Sequence, residues 1–234
     1  MKTLAELINT DEPALPILQE WINNAERPVE ILPLTFPEKA DATLLHLQVT
    51  TRSPLGAIAH QTGGILIDSG WVRILGGGFE NQRNTFPSLL EWNTNKTVNS
   101  NNEAIEGYLI VAIDVLGGYF CINSGGLGDD IGKIYYFSPD SLDFEPLDVS
   151  YSDLIYFFIC GNLNQFYEGF KWNTWQEDLA ILPLDHVFSF YPFLWTKEGK
   201  HIEETIKKPI ATEEQYQVDI TYRKGLNNIE NKYT

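Results

Sequence analysis

The sequence contains few of the residues that build metal and redox sites. Its 234 residues include two cysteines, four histidines and one methionine. The histidines lie far apart, and no cysteine has metal-ligand spacing to a second cysteine or to a histidine. Cys121 and Cys160 lie inside the apolar runs YFCIN and YFFIC, where a thiol packs as a small hydrophobic group. We therefore expect no metal site, no cofactor, and a reducing, cytoplasmic setting.

Positive charge is also scarce. The chain has 16 Lys and Arg residues against 32 Asp and Glu residues, which gives a formal net charge of −16 at pH 7. Nucleic-acid binding depends on clustered cations that contact phosphates, so this balance argues against nucleic acid as a partner. An acidic surface either keeps a protein in solution or steers it toward a basic partner.

A long hydrophobic segment is the third absence. No apolar run approaches the ~18 residues that a membrane-spanning helix needs. The N-terminal sequence MKTLAELINTDEP also lacks the apolar core of a secretory signal. We therefore expect no membrane segment and no secretory leader.

The middle of the chain contains three strand-like runs, around which the remainder is organised. Residues 109–115, 119–122 and 133–137 are short, apolar, and rich in β-branched and aromatic side chains. Gly117-Gly118 separates the first two runs, and paired glycines supply the positive φ that tight hairpins require. We predict three strands of one antiparallel sheet.

Further segments extend this predicted sheet to about six strands. Residues 65–67 and 71–75 flank Asp68-Ser69-Gly70, which is typical of a hairpin. Residues 43–49 alternate in the manner of a strand with two partly apolar faces, and residues 217–222 form another candidate strand. In contrast, the Asn-rich residues 93–102 indicate an exposed loop.

Helical spacing of apolar residues marks both ends of the chain. Residues 3–9 and 13–25 predict N-terminal helices, and residues 154–160 and 171–182 predict C-terminal ones. The predicted fold is therefore α+β, with the helices packed on one face of an antiparallel sheet. We divide this single domain into a helical, proline-rich N-terminal segment (1–42), a sheet core (43–148), C-terminal helices (149–196) and a polar tail (197–234).

No catalytic constellation is evident, but five residues of the sheet define a possible pocket or structural cluster. Asp114 follows five apolar strand residues, so we expect it to be buried and paired with a cation, for which Arg73 is the leading candidate. Trp71 should be buried on the same sheet face as Arg73 because the two lie two positions apart. At least one of Gly117 and Gly118 should adopt positive φ.

A second candidate site consists of acids in the loops of the central sheet. Acids in turns usually serve as local hydrogen-bond caps. If they instead formed one continuous negative surface, they would attract a basic partner. These candidate partner-binding residues are Asp129, Asp130, Asp140, Asp143 and Glu145.

Several segments together resemble one bacterial family. They are QVTTRSPLGA (48–57), Gly70-Trp71-x-Arg73…Gly76, Gly117-Gly118…Asn123-x-Gly125, YYFSPDSL (135–142), Trp172 with Trp175, and YPFLW (191–195). In combination they resemble the bacterial domain of unknown function 2625, over nearly the whole chain as far as about Trp195. One departure is that a single acid, Asp114, stands before Leu-Gly-Gly where the family has a pair. The resemblance implies no catalytic residues.

The central Asp-x-x-Gly-Gly run and the Gly-x-x-Tyr-Tyr strand also resemble, more weakly, the SUKH superfamily. That resemblance implies an α+β fold and membership of a group that includes many immunity proteins, which neutralise bacterial toxins. We therefore expect a non-enzymatic protein that binds a basic, toxin-like partner. Two alternatives stay open: a small-ligand binder or enzyme with an aromatic-lined acidic pocket, and a stand-alone domain without a dedicated partner.

Overall fold

The computed structural model describes residues 1–99 and 103–233, with side chains as far as Leu226. Within those residues, no helix combines the length and apolar character needed to cross a membrane. The strands are β1 (Val29–Leu32), β2 (Gly64–Ile67), β3 (Val72–Leu75), β4 (Phe79–Glu80), β5 (Thr85–Phe86), β6 (Tyr108–Asp114), β7 (Tyr119–Asn123), β8 (Ile134–Ser138), β9 (Asp143–Pro146), β10 (His186–Tyr191) and β11 (Ile206–Ala211). The helices are α1 (Leu4–Leu7), α2 (Leu15–Asn23), α3 (Pro37–Leu47), α4 (Pro54–Gln61), α5 (Leu89–Asn93), α6 (Tyr151–Cys160), α7 (Leu163–Phe166), α8 (Trp175–Ala180) and α9 (Thr212–Tyr233), with a 3-10 turn at Ile202–Glu204.

A seven-stranded antiparallel sheet forms the centre of the molecule, in the order β1-β2-β3-β6-β7-β8-β9. Its two predicted hairpins are present. Asp68, Ser69 and Gly70 all have positive φ in the turn between β2 and β3, and Gly117 has a φ of +92° between β6 and β7. These turn residues close the hairpins because a tight turn of matching twist needs positive φ. The α+β antiparallel prediction is therefore confirmed.

The identity of individual strands differs from the prediction at two places. Residues 43–49 lie mostly in helix α3, whose buried positions Ala40, Thr43 and Leu44 follow helical spacing. Residues 217–222 lie in helix α9. Strands β1 and β9, which the sequence did not reveal, bring the sheet to seven.

Helices cover both faces of the sheet, so the predicted placement on one face was incomplete. The ring of Phe120 on β7 contacts Phe158 of α6. The ring of the preceding residue, Tyr119, contacts Tyr216 of α9 at 5.5 Å between centroids. Because successive residues of a strand point to opposite faces, α6 and α9 must lie on opposite sides.

Two stretches expected to be loop or tail contribute buried structure. Asn93 is fully buried; its amide donates to Ile110 O and accepts from Ile110 N–H. It therefore joins α5 to β6 beside the end of β3, whereas residues 100–102 of the predicted loop lie outside the described residues. The segment predicted as a polar tail contains β11, which pairs with β10, and α9, whose Tyr216 is buried.

Candidate functional site

Asp114, the predicted buried acid, is fully enclosed and hydrogen-bonded on both carboxylate oxygens. Its Oδ1 accepts the backbone N–H groups of Leu116 and Gly118, each at 2.9 Å. Its Oδ2 accepts the hydroxyls of Tyr136 at 2.7 Å and Tyr167 at 2.9 Å. Burial raises the pKa of the Asp114 carboxyl, and these four hydrogen bonds oppose the rise. Asp114 therefore joins the β6–β7 turn to β8 and to the residue after α7.

The two glycines of this turn are required for different reasons. Gly117 has positive φ, as predicted. Gly118 lies outside the positive-φ region, and it is constrained by space. A Cβ at Gly118 would lie 2.4 Å from the Tyr136 hydroxyl oxygen and 2.7 Å from Asp114 Oδ2. A side chain at Gly118 would therefore disrupt the hydrogen bonds of Asp114.

The predicted pairing of Arg73 with Asp114 is wrong. Asp114 lies opposite Val72 in the β3–β6 register, whereas Arg73 lies opposite Ile113. Adjacent register positions point to opposite faces, so the guanidinium and the carboxylate leave the sheet on different sides. Arg73 Nη1 instead donates to the carbonyls of Leu184 at 2.7 Å and His186 at 2.6 Å.

Trp71 is buried, as predicted, but it lies in the turn before β3 and packs on Tyr167, which bonds Asp114, so the predicted placement on the same face as Arg73 is wrong. Its indole ring contacts Trp172, Trp175 and Tyr167, with centroid distances between 5.3 and 5.7 Å. Such aromatic clusters contribute mainly through packing. Trp71 therefore serves as a packing centre between the sheet and the segment that precedes β10.

Arg73 lines a cavity of about 320 Å³ on the α9 side of the sheet. The volume lies within the range of small-molecule sites. Its floor comes from β3 and β6, and its walls come from β5, α5, the segment before β10, and the start of α9. The lining residues are Arg73, Thr85, Phe86, Pro87, Glu91, Trp92, Lys96, Ile113, Leu184, Asp185, Ala211, Thr212 and Glu213. We call this space the Arg73 cavity.

Each acid in the wall of the Arg73 cavity already has a basic partner. Glu213 pairs with Lys96 at 2.5 Å, and Glu91 pairs with Lys39 at 3.0 Å. Asp185 contacts Nδ1 of the next residue, His186, at 2.7 Å. Arg73, in contrast, donates hydrogen bonds only to neutral backbone carbonyls among the described residues. Its positive charge is therefore the one in this wall that no carboxylate contacts among the described residues.

One donor of the Arg73 cavity lacks a hydrogen-bond partner within the described part of the chain. Arg73 donates through Nε to Gly70 O and through Nη1 to carbonyls before and within β10, which leaves Nη2 uncommitted. Trp92 Nε1 also has no partner, but protein atoms enclose it, so it does not face the cavity. A ligand acceptor that reached Arg73 Nη2 would gain a charge-assisted hydrogen bond.

The Arg73 guanidinium stays charged at neutral pH in spite of its burial. Only 2% of this residue is exposed, and burial lowers its pKa to about 10. The charges of Asp185 and Asp114 partly oppose this lowering. A cation in a largely apolar wall attracts an anionic group strongly because few waters screen it.

The sequence did not indicate Trp92, Lys96 or Glu213 as site residues. Lys96 fell within the predicted exposed loop, and Glu213 fell within the predicted tail. One signal was available: Glu213 and Glu214 precede Tyr216 and Ile220, and acids before an i, i+4 apolar pair are typical of a helix start. The contact between Lys96 and Glu213 brings distant segments together and has no local sequence signature.

The five loop acids lie at two ends of β8 and along β9. Asp129 and Asp130 precede β8, whereas Asp140 follows it in the turn toward β9. Asp143 and Glu145 lie on β9. The loop before β8 and the turn after it are separated by the five residues of that strand, which span about 16 Å. Asp129 and Asp130 therefore form one small group, apart from Asp140 and Asp143.

Several of these acids make local hydrogen bonds. Asp130 accepts the Tyr135 hydroxyl at 2.8 Å and the Asn123 amide at 2.9 Å. Asp143 contacts Arg223 of α9 at 3.3 Å. Asp129 is exposed, and the structure gives its side chain no hydrogen bond within the described residues. No group of three or more His, Cys, Asp or Glu side chains in the described parts of the chain could hold a metal ion.

These features define an α+β protein with a seven-stranded antiparallel sheet, helices on both faces, and a ligand-sized cavity beside a buried arginine. The chain belongs to the family described as protein of unknown function DUF2625, whose model matches residues 4–215. The resemblance found in the sequence motifs is thereby confirmed. The more distant resemblance to the SUKH superfamily stays a prediction.

Two relatives match along almost the entire chain. A protein of Escherichia coli strain K12, named YbfG and described as uncharacterized, is 38% identical over 223 residues, which covers 95% of this chain and 99% of that protein. An uncharacterized protein of Haemophilus influenzae strain Rd is 38% identical over 220 residues, which covers 94% of each chain. No solved structure shows significant similarity to this chain.

Proposed function

We propose that this protein binds a small organic molecule in the Arg73 cavity, and that the ligand presents a carboxylate to Arg73. The observation that carries the proposal is the buried guanidinium, whose Nη2 is uncommitted and whose charge no carboxylate contacts within the described residues. Guanidinium–carboxylate hydrogen bonds are short and strong, and partial burial strengthens them further. This is the ligand-binding alternative that the abundance of aromatic residues suggested.

The remaining walls favour a ligand with an apolar or aromatic body. Phe86, Trp92 and Leu184 supply hydrophobic surface around Arg73. A mostly apolar pocket with a few well-placed polar groups is the usual form of a small-molecule site.

Benzoate and benzamide test this proposal because they have the same shape and differ in charge. Isothermal titration calorimetry should show that benzoate binds the purified protein at least about tenfold more tightly than benzamide, as expected for one charge-assisted hydrogen bond. Trp92→Phe reduces the aromatic wall that the benzoate ring would contact, so it should weaken benzoate binding. Trp195→Phe is the matched control, since Trp195 does not line the Arg73 cavity.

Arg73→Lys provides a second variant that keeps the charge and loses the planar fork. It should weaken benzoate and reduce its preference over benzamide without abolishing it, and circular dichroism would show whether the fold persists. Equal binding of the two probes to the wild-type protein would contradict the proposal. So would benzoate binding that Trp92→Phe and Trp195→Phe weaken to the same extent.

A second candidate function is the protein-binding, immunity-type role implied by the SUKH-like pattern. Ile131 favours it: this side chain is 73% exposed and follows Asp129 and Asp130 in the β7–β8 loop. An exposed apolar residue next to acids would suit a basic partner that also buries hydrophobic surface. The two free cysteines support the accompanying proposal of a reducing, cytoplasmic location.

Poly-L-lysine is a suitable cationic probe for this second candidate. Asp129→Asn and Asp11→Asn change the net charge equally, and both side chains are exposed. If the β7–β8 loop is the interface, Asp129→Asn should slow association at low salt more than Asp11→Asn, and the difference should disappear at high salt. Equal effects of the two variants would mean that only net charge matters.

A further inference from the structure

A second cavity, of about 250 Å³, lies between α9 and the central strands and collects positive charge. Lys96, Arg223 and Lys224 line it, and Glu106 is the single acid in its lining. The chain as a whole has twice as many acids as bases, so three cations around one cavity reverse the general balance. We call this space the basic cavity. It is separate from the Arg73 cavity, and Lys96 stands in the wall between the two.

Arg223 is held in place at the edge of the basic cavity with one donor unused. Its guanidinium carbon lies 4.9 Å from the centroid of the Phe144 ring, and its Nη2 contacts Asp143 at 3.3 Å. Its Nη1 makes no hydrogen bond in the described part of the chain, whereas protein atoms enclose Nε. Stacking on an aromatic face fixes a guanidinium at little entropic cost, so the unused donor is already oriented.

Lys96 contributes a second, deeply placed cation. Its side chain is 8% exposed, and its ammonium lies 4.2 Å from the centroid of the Trp92 ring and 2.5 Å from Glu213. Lys224, in contrast, is exposed at the mouth. Within the described residues, Lys96 and Arg223 each contact one carboxylate and Lys224 contacts none, so the cations of the lining keep further N–H donors for an anion.

Tyrosine hydroxyls supply neutral donors between these cations. Tyr108 and Tyr216 are both buried and line the basic cavity. Burial raises the pKa of Tyr216 to about 12 and also raises that of Tyr108, so both hydroxyls keep their protons at neutral pH. The Tyr108 hydroxyl interacts with that of Tyr216, so one of the two protons is left for an anion, and neither group competes with the anion as a phenolate.

We propose that the basic cavity binds a phosphate group, either as inorganic phosphate or as the phosphate of a small monoester. A tetrahedral dianion accepts hydrogen bonds in several directions, which suits donors from three cations and one tyrosine hydroxyl around one space. A carboxylate would engage fewer of them. The proposal concerns a different cavity from the Arg73 cavity and does not depend on carboxylate binding there.

Calorimetric titration with sodium phosphate at pH 8, at ionic strength fixed with sodium chloride, tests the phosphate site. Phosphate should bind in the presence of excess chloride. Arg223→Gln should weaken it at least about tenfold, whereas Arg83→Gln, an equal charge change at an exposed position, should weaken it less than about twofold. Lys224→Gln is a second variant, at an exposed position where the change should not affect folding. It should weaken phosphate binding more than Arg83→Gln does.

Glycerol 3-phosphate, with glycerol as its neutral control, distinguishes the two sources of the phosphate. Tighter binding than inorganic phosphate would assign the site to a monoester, and weaker binding would assign it to the free ion. Two results would overturn the proposal. One is the absence of phosphate binding above that of chloride, and the other is an equal loss of affinity in Arg83→Gln and Arg223→Gln.

Discussion

Arg73 and Asp114 lie one step apart in the register between β3 and β6, and their side chains leave the sheet on opposite faces. Asp114 faces Tyr136 and Tyr167, where it is fully hydrogen-bonded. Arg73 faces the α9 side, where part of its guanidinium is uncommitted. The two buried charges therefore have separate roles, one in holding the fold and one in lining a cavity.

Replacement of Asp114 by alanine should strongly destabilise the protein. The change leaves two backbone N–H groups and the hydroxyls of Tyr136 and Tyr167 without their acceptor. Loss of such a buried network costs roughly 3–5 kcal/mol. Urea unfolding would measure the difference in the free energy of unfolding. Asp114→Asn retains one acceptor oxygen and should cost less; an equal cost for both would contradict the role of the hydrogen bonds.

Substitution of Gly118 and Gly225 by alanine should have opposite effects. At Gly118 the new Cβ would overlap the Tyr136 hydroxyl and Asp114 Oδ2, so we expect a loss of at least about 2 kcal/mol. At Gly225 in α9 no atom lies within 4 Å of the new Cβ, and alanine should stabilise the helix by up to about 1 kcal/mol. Thermal unfolding of the two variants would check this. An unchanged melting temperature in Gly118→Ala would contradict the steric overlap inferred at this position.

Asp219 should make stability fall as the pH rises. The residue is 3% exposed, its Oδ2 has no partner within the described residues, and burial raises its pKa from 3.8 to about 7. Between these values the native state binds more protons than the unfolded state, so the free energy of unfolding decreases with pH, by at most about 4 kcal/mol. Above about pH 7 the stability associated with the neutral carboxyl is lost.

The variant Asp219→Asn isolates this effect because the amide stays neutral. Relative to the wild type, it should gain stability as the pH is raised from 4.5 to 8, as measured by urea unfolding at each pH. Asp11→Asn, at an exposed N-terminal position, is the control and should show no such trend. Parallel pH curves for Asp219→Asn and the wild type would show that Asp219 does not titrate in this range.

The buried amide of Asn93 should be as sensitive as a core residue. Its Nδ2 donates to Leu89 O and Ile110 O, and its Oδ1 accepts from Thr97 and from Ile110 N–H. Asn93→Ala should therefore cost roughly 2–4 kcal/mol in urea unfolding. Asn173→Ala, at an exposed position, should change stability by less than about 0.5 kcal/mol. An unchanged free energy of unfolding in Asn93→Ala would mean that the hydrogen bonds of Asn93 contribute little to stability.

The hairpins could be predicted because their signals are local. Asp68-Ser69-Gly70 and Gly117-Gly118 each stand between apolar runs, and the turn conformation depends on those few residues. Likewise, Ser150 and Asp153 form a capping box at the start of α6, and that signal lies within four residues of sequence. The strand prediction for residues 43–49 was wrong because leucines at consecutive positions fit a helical period and a strand period equally well.

The candidate site depends on register and long-range packing, which local patterns do not contain. The direction of Arg73 was decided by a single step in the β3–β6 register, so a plausible pairing with Asp114 turned out wrong. Trp92 and Glu213 meet the Arg73 cavity only because α5 and α9 pack over the same part of the sheet. Neither helix position follows from the composition of its own segment.

The location of a bound carboxylate tests the central proposal most directly. A crystal structure with 4-bromobenzoate would reveal the bromine by its anomalous scattering. We predict that the bromine lies among Phe86, Trp92 and Leu184, with the carboxylate within about 3 Å of Arg73 Nη2. A bromobenzoate bound elsewhere, or in the Arg73 cavity with its carboxylate turned away from Arg73, would contradict the proposed function.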